Sequence, residues 1–354
     1  MRGIARKAAV ATLVVIGIVV LALAFWKLRV LISLLFLGLV IAAAMRPGIE
    51  WLHERRIPRS VGVGLHYLAL AGLVALFLWL VVPRAVNQVG DALGGSVPTS
   101  TTELNRATRN STGIKHTILQ AVQKRLEKLP AANSVFHASI GITKAAFEVL
   151  IAIFFTFAVA AYWIFERDRA RRLVLSLISR EHRKVVYDTW ELIDAKLGAF
   201  VRGQLILILF VAVVLSLAFR LIGVPFWLLL GMFAGVVEII PVIGPLAAGA
   251  VAIAVGFTVS WQVALGAGLA VLGVRLLEDY IVVPRVLGHA VGLSPLVVLV
   301  SVTAIGLLLG GVYILVAVPI AAVLVTLVDV VVRDKDPAEE EVPPLLFPAK
   351  DAEA

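Results

Sequence analysis

Residues 224–258 form one apolar stretch that is interrupted in its middle by Glu238, Pro241, Gly244 and Pro245. A charged residue at the centre of a membrane helix costs about 2.5–3.5 kcal/mol on insertion scales. The two prolines remove backbone donors and stop a helix. Backbone broken in this way is stable in a bilayer only where it is buried in protein or faces water. Transporters place substrates and coupling ions at such discontinuous helices, because helix ends and freed carbonyls become ligands there. The segment therefore points to a transporter with a re-entrant helical hairpin.

The rest of the chain agrees with a membrane setting. Of 354 residues, 61% are hydrophobic and 16% charged, and the mean hydropathy is +1.01; ordinary soluble domains are far more polar. The chain has no cysteine, so disulfides, thiolate metal sites and a cysteine nucleophile are excluded. The net charge of +9 is gathered in short segments beside apolar runs. That is the pattern of topology signals facing anionic lipid, and no nucleic-acid partner is expected.

Apolar runs long enough to cross about 30 Å of hydrocarbon lie at 8–26, 28–45, 61–83, 145–165, 203–223, 260–277, 291–309 and 311–332. The expected fold is an all-α polytopic membrane protein with about eight membrane segments and at least one re-entrant hairpin. The first run follows MRGIARK, but it is longer than a signal-peptide core and a second run follows at once, which argues against cleavage. Arg2, Arg6 and Lys7 place the N-terminus inside, and Arg46, Arg55, Arg56 and Arg59 place 46–60 inside after two crossings.

Six units are expected: N-terminal spans over 1–83, an extracytoplasmic helical segment over 84–144, a span at 145–165, a cytoplasmic amphipathic helix over 166–202, a transport core over 203–332, and a disordered cytoplasmic tail over 333–354. In 84–144, Ile114, Ile118, Val122, Leu126 and Leu129 recur at helical spacing and form an apolar stripe for packing. The segment 166–202 carries nine Lys/Arg against six Asp/Glu, with Val186, Trp190, Ile193 and Leu197 on one helical face. The tail is acidic and proline-rich without apolar periodicity. Pro295, Pro319 and Gly310-Gly311 leave open whether 291–332 makes two crossings or a second re-entrant pair.

LGAFVRGQ at 197–204, EIIPVIGP at 238–245, EDYIVVPRVLG at 278–288, VGLSPLVVLVS at 291–301 and GGVYILVAVPIAAVL at 310–324 occur in that order. Together they resemble the autoinducer-2 exporter (AI-2E) family of bacterial permeases over the C-terminal half. The resemblance implies a bacterial inner-membrane protein with a homo-oligomeric, for instance pentameric, assembly, while charge bias and the parity of crossings put both termini in the cytoplasm. It also implies export of a small hydrophilic solute such as the autoinducer-2 signal, with sodium or other cation/proton antiport as the alternative. The position before IIP is Glu238 here, where other members can carry a neutral polar residue, so a carboxylate-dependent step is not a family-wide expectation.

From the residues themselves, Glu238 is the first candidate site. A carboxyl group among apolar side chains and helix ends can exchange a proton or accept a cation, whereas a glutamate at the membrane interface would simply be solvated. Pro241, Gly244 and Pro245 shape the hairpin tip. Arg202 and Gln204 open the fifth run, and Arg202 is placed to pair with Glu278, Asp279 or a substrate oxygen, or to anchor at lipid headgroups. Glu278 and Asp279, followed by Pro284, are gate candidates. Gly231-x-x-x-Gly235 and Gly306-x-x-x-Gly310 permit close helix contact.

Enzyme classes find little support: the chain has no GxxxxGK[ST], HExxH or GxSxG, and its six histidines show no ligand spacing. No cofactor, metal ligand or catalytic residue is expected. An intramembrane enzyme or a passive channel ranks behind a transporter moving a small polar solute or cation.

Overall fold

A computed structural model describes residues 2–92, 133–241, 243–286, 292–340 and 342. Among these residues every regular element is helical. Helix α1 spans Arg2–Glu54, α2 Arg59–Ala92 and α3 Asn133–Leu177. A short 3₁₀ turn precedes α4, Arg183–Ile222. The shorter helices α5, Trp227–Val237, and α6, Ile243–Gly256, are followed by α7, Trp261–Leu277. A π-helical turn over Glu278–Val282 leads into α8, Val283–Val286. The chain closes with α9, Pro295–Leu309, a 3₁₀ stretch over Gly311–Val316, and α10, Ala317–Val331.

Among the described residues five helical stretches have the length and hydropathy to cross a membrane: Thr12–Glu54, Arg59–Phe77, Phe147–Leu177, Arg180–Ile222 and Tyr313–Val331. Helices α5 and α6, with 11 and 14 residues, rise only about 16 and 21 Å and cannot cross singly. Large apolar side chains stand exposed along α1 to α4, among them Leu21, Leu68, Phe154 and Leu221. In water such a surface would drive aggregation; in lipid it is the expected exterior.

The structure corrects the two-span reading of 8–26 and 28–45. Both runs belong to the unbroken α1, about 80 Å long at 1.5 Å per residue. Nothing at 26–28 would end a helix, since these residues are Trp, Lys and Leu, and the Arg29 guanidinium lies over the Trp26 ring at 4.4 Å. No reversal returns Arg2, Arg6 and Lys7 to the end occupied by 46–60.

The segment 166–202 is likewise not one helix. Its first part completes α3, the chain turns at Ser179–His182, and its remainder is the first half of the 40-residue α4. Trp190 stacks on Trp163 of α3 with ring centroids 6.1 Å apart, and Leu197 enters a buried cluster with Val40 and Ala43 of α1. The apolar stripe over 114–129 lies outside the described residues. The described part of the tail, 333–340, folds back on the helices. Arg333 and Lys335 reach Asp329 at 2.7 and 2.8 Å, Pro337 is buried, and Glu340 lies 2.7 Å from the buried Lys196 ammonium.

The main core lies where α4, α5, α6 and α7 meet, around Leu215, Phe219, Leu230, Ala252 and Ala267. Helix α4 ends in a Schellman turn: Gly223 adopts φ 82° and Val224 N–H returns to Phe219 O at 2.9 Å. The chain then doubles back so that α5 packs along α4. Gly231 and Gly235 are the contact face, because a Cβ at either would fall 2.1 Å from Ser216 Oγ or 2.6 Å from Ala212 Cβ. That pair therefore does bring two helices into close contact. Gly310 instead adopts φ 109° at the bend after α9.

Candidate functional site

The break between α5 and α6 begins at Glu238. The helix tightens as it ends: Ile240 N–H returns to Val237 O at 3.0 Å, the i+3 partner of that carbonyl, because Pro241 has no N–H to supply the i+4 bond. Ile243 and Gly244 N–H then reach Pro241 O and Ile240 O, each at 2.8 Å. Gly244 sits against the end of α5 so closely that a Cβ there would lie 2.0 Å from Val237 O. Pro245 follows within the first turn of α6, where a missing N–H removes no intrahelical bond.

This turn holds the Glu238 side chain inward, at 5% exposure. Arg275, on the last turn of α7, places Nη1 3.5 Å from Glu238 Oε1 and 3.3 Å from Glu278 Oε2, and Nη2 2.9 Å from Asp279 Oδ1. Glu278 is buried at 2% exposure, while Asp279 is half exposed. Gln204 on α4 donates Nε2–H to the Glu238 carbonyl at 3.0 Å. A cavity of about 10 Å³ lies beside the cluster, with Glu238, Glu278, Arg275 and Pro245 in its wall. It is the size of roughly one water molecule's centre volume.

Four of the sequence-derived candidates, Glu238, Gln204, Glu278 and Asp279, thus converge, and Pro241, Gly244 and Pro245 form the turn that aims Glu238. Two candidates stand elsewhere. Pro284 is exposed on α8, where its missing N–H coincides with the π-helical turn just before it. Arg202 does not pair with Glu278 or Asp279: its Nη1 donates to Ala44 O of α1 at 3.1 Å, and its buried Nε has no partner. The reason is packing, since α1 lies so close here that a Cβ on Gly198 would sit 2.5 Å from Ala43 O.

Arg275 is the member that sequence reasoning missed. Its signal was present: RLLED puts Glu278 and Asp279 at i+3 and i+4 from the arginine, the spacings that meet on a helix surface. Three carboxyl groups share one guanidinium, and two of them, Glu238 and Glu278, are buried; with all three ionised the cluster would lack two positive charges. Among the described residues no three His, Asp or Glu side chains converge as metal ligands do.

The profile of the AI-2E family transporters matches residues 14–333. Similar proteins include "Putative transport protein YrrI" of Bacillus subtilis (strain 168), 26% identical over 307 residues that cover 85% of this chain and 86% of that protein. "Putative transport protein YueF" of the same organism is 26% identical over 321 residues, 85% of each chain. "Putative transport protein MT0215" of Mycobacterium tuberculosis (strain CDC 1551 / Oshkosh) is 25% identical over 320 residues, 84% of this chain and 82% of that one.

Proposed function

The chain belongs to the AI-2E transporter family, and from that premise we propose that it exports a small polar solute across the bacterial inner membrane by alternating access. The observation that carries the reading is the convergence on Glu238. An interrupted helix pair too short to cross brings a buried carboxyl, a freed helix end and an arginine to one point inside an otherwise apolar core. This is how transporters build solute and ion sites.

In this reading α5 and α6 form the re-entrant hairpin of the transport core, 203–332. Gln204 holds the hairpin to α4, Glu238 contacts solute or ion, and Glu278, Asp279 and Arg275 gate access from the end of α7. The arginine-rich ends of α1, α3 and α4 face the cytoplasm by the positive-inside rule, and the tail segment pinned to Lys196 lies on the same side. The chain assembles with copies of itself through its exposed apolar helices.

A second reading, cation/proton antiport, is favoured by the charge imbalance at the site. Three carboxyl groups against one guanidinium invite a cation or protons, each of which relieves repulsion between buried like charges. A solute screen in proteoliposomes, run with and without a pH gradient, tests both. Saturable movement of an organic solute supports export. Proton flux driven by a sodium gradient alone supports antiport. Unsaturable conductance defeats both in favour of a channel.

A further inference from the structure

A second charged site stands apart from the hairpin. The ends of α1 and α3, the start of α2 and the first half of α4 enclose a cavity of about 260 Å³. Its deep wall is a network on which α4 supplies Glu191 and Asp194. Glu191 accepts from Arg46 at 2.8 Å, from Arg167 at 2.7 Å and from Arg171, and Asp194 accepts from Arg167 Nε at 2.5 Å. These pairs are part-buried. They fix the wall.

Two wall residues of opposite charge remain under-used. Glu50, 43% exposed, engages Arg46 through Oε1 alone. Arg59, 46% exposed, has among the described residues no hydrogen bond and only a loose pairing with Asp168 at 4.0 Å. The cavity wall as a whole is charge-balanced, with four arginines against Glu50, Asp168, Glu191 and Asp194. An ion of either sign would upset that balance, whereas a solute carrying one of each charge would not. The remaining wall includes Trp163, Ile49 and Tyr187, which suits a small apolar side chain.

We propose that this cavity binds a small zwitterion of the α-amino acid class, its carboxylate on Arg59 and its ammonium on Glu50. The cavity is slightly smaller than the pockets that take drug-sized ligands, so the fit is to short side chains. The site is separate from the hairpin. Gln204 lies on α4 about 15 Å beyond Asp194 at 1.5 Å per residue, and the close packing of Gly198 and Arg202 against Ala43 and Ala44 lies between.

The test is equilibrium binding of radiolabelled L-alanine to the purified full chain in detergent, with lactate and isopropylamine as probes that each lack one of the two charges. Saturable alanine binding is expected, with neither single-charge probe competing at equal concentration. Loss of one charge-assisted contact weakens binding by roughly tenfold or more, so Glu50→Gln and Arg59→Gln should each do so. Arg59→Lys, which keeps the charge, should retain most of it, and unchanged thermal melting shows that the variants are folded. Glu238→Gln should bind alanine as the parent does, which separates this site from the proposed transport centre. No saturable alanine binding overturns the proposal. So does equal competition by lactate, which would mark a plain anion site, or unchanged affinity in both charge variants.

Discussion

The side-chain amide of Gln204 donates to the backbone carbonyl of Glu238 at 3.0 Å, so α4 holds the hairpin by its main chain at the residue whose side chain carries the charge. A carbonyl at a helix end has lost its own donor, and Gln204 supplies one from the neighbouring helix. Gln204→Leu keeps the bulk and removes the donor, leaving a part-buried carbonyl unsatisfied. A loss of about 1–3 kcal/mol is expected, read as a lower midpoint in thermal unfolding of the purified protein. Gln204→Asn, one methylene shorter, should recover little of it.

Glu238→Gln is expected to fold and elute as the parent does, because the amide keeps the size and hydrogen bonding of the carboxyl group while losing its titratable proton. Transport by this variant should lose or flatten its dependence on pH. Glu238→Ala should be worse, since it also leaves Arg275 short of a buried partner. An unchanged rate and pH profile for Glu238→Gln in proteoliposomes would make Glu238 a purely structural residue.

Gly244→Ala should be among the most damaging single changes in the molecule. Its Cβ would fall 2.0 Å from Val237 O, a backbone atom that cannot move aside without opening the turn. Overpacking of this kind costs about 1–3 kcal/mol or more. Gly249→Ala is the control on the same helix, where the nearest atom, Val271 Cγ1, is at an ordinary 3.4 Å. Detergent-soluble yield and melting temperature should fall for the first and hold for the second.

The absence of cysteine makes single-cysteine labelling clean. Positions 55 and 180 should react from the same side, because the Arg46–Glu191 and Arg167–Asp194 pairs bind the ends of α1 and α3 to the start of α4; that side is expected to be cytoplasmic. Position 340 should join them. Position 110 should react from outside, and position 5 should be shielded from cytoplasmic reagent if α1 crosses once. Labelling of 55 and 180 from opposite faces would refute the arrangement of these helices.

The helix break was legible because proline, glycine and a lone carboxylate are local events with local physical causes, and the structure puts the turn between α5 and α6 where EIIPVIGP occurs. Gln204 and Glu278 were legible as polar residues beside apolar runs, although the contacts they make were not. The continuity of α1 was hidden because hydropathy measures how apolar a run is and carries no signal distinguishing one long helix from two spans separated by Lys27. Arg202 was misjudged for another reason: its partner is a backbone carbonyl on α1, and a carbonyl leaves no mark in a sequence. The charged cavity draws Arg46, Arg167 and Glu191 from three helices, and that assembly exists only once α1, α3 and α4 have packed.

The ammonium of Lys196, buried near the middle of the chain's order of synthesis, has its carboxylate at Glu340. A ribosome making this protein delivers the lysine long before its counter-ion. Until residue 340 emerges, Lys196 has Thr326 at best, 3.2 Å away on α10. A nascent or prematurely terminated chain ending at Asp336 therefore carries an uncompensated cation between helices that are otherwise ready to close. Synthesis as far as Glu340 becomes a condition for closing that seam, and products truncated before it are expected to remain open there to membrane proteases.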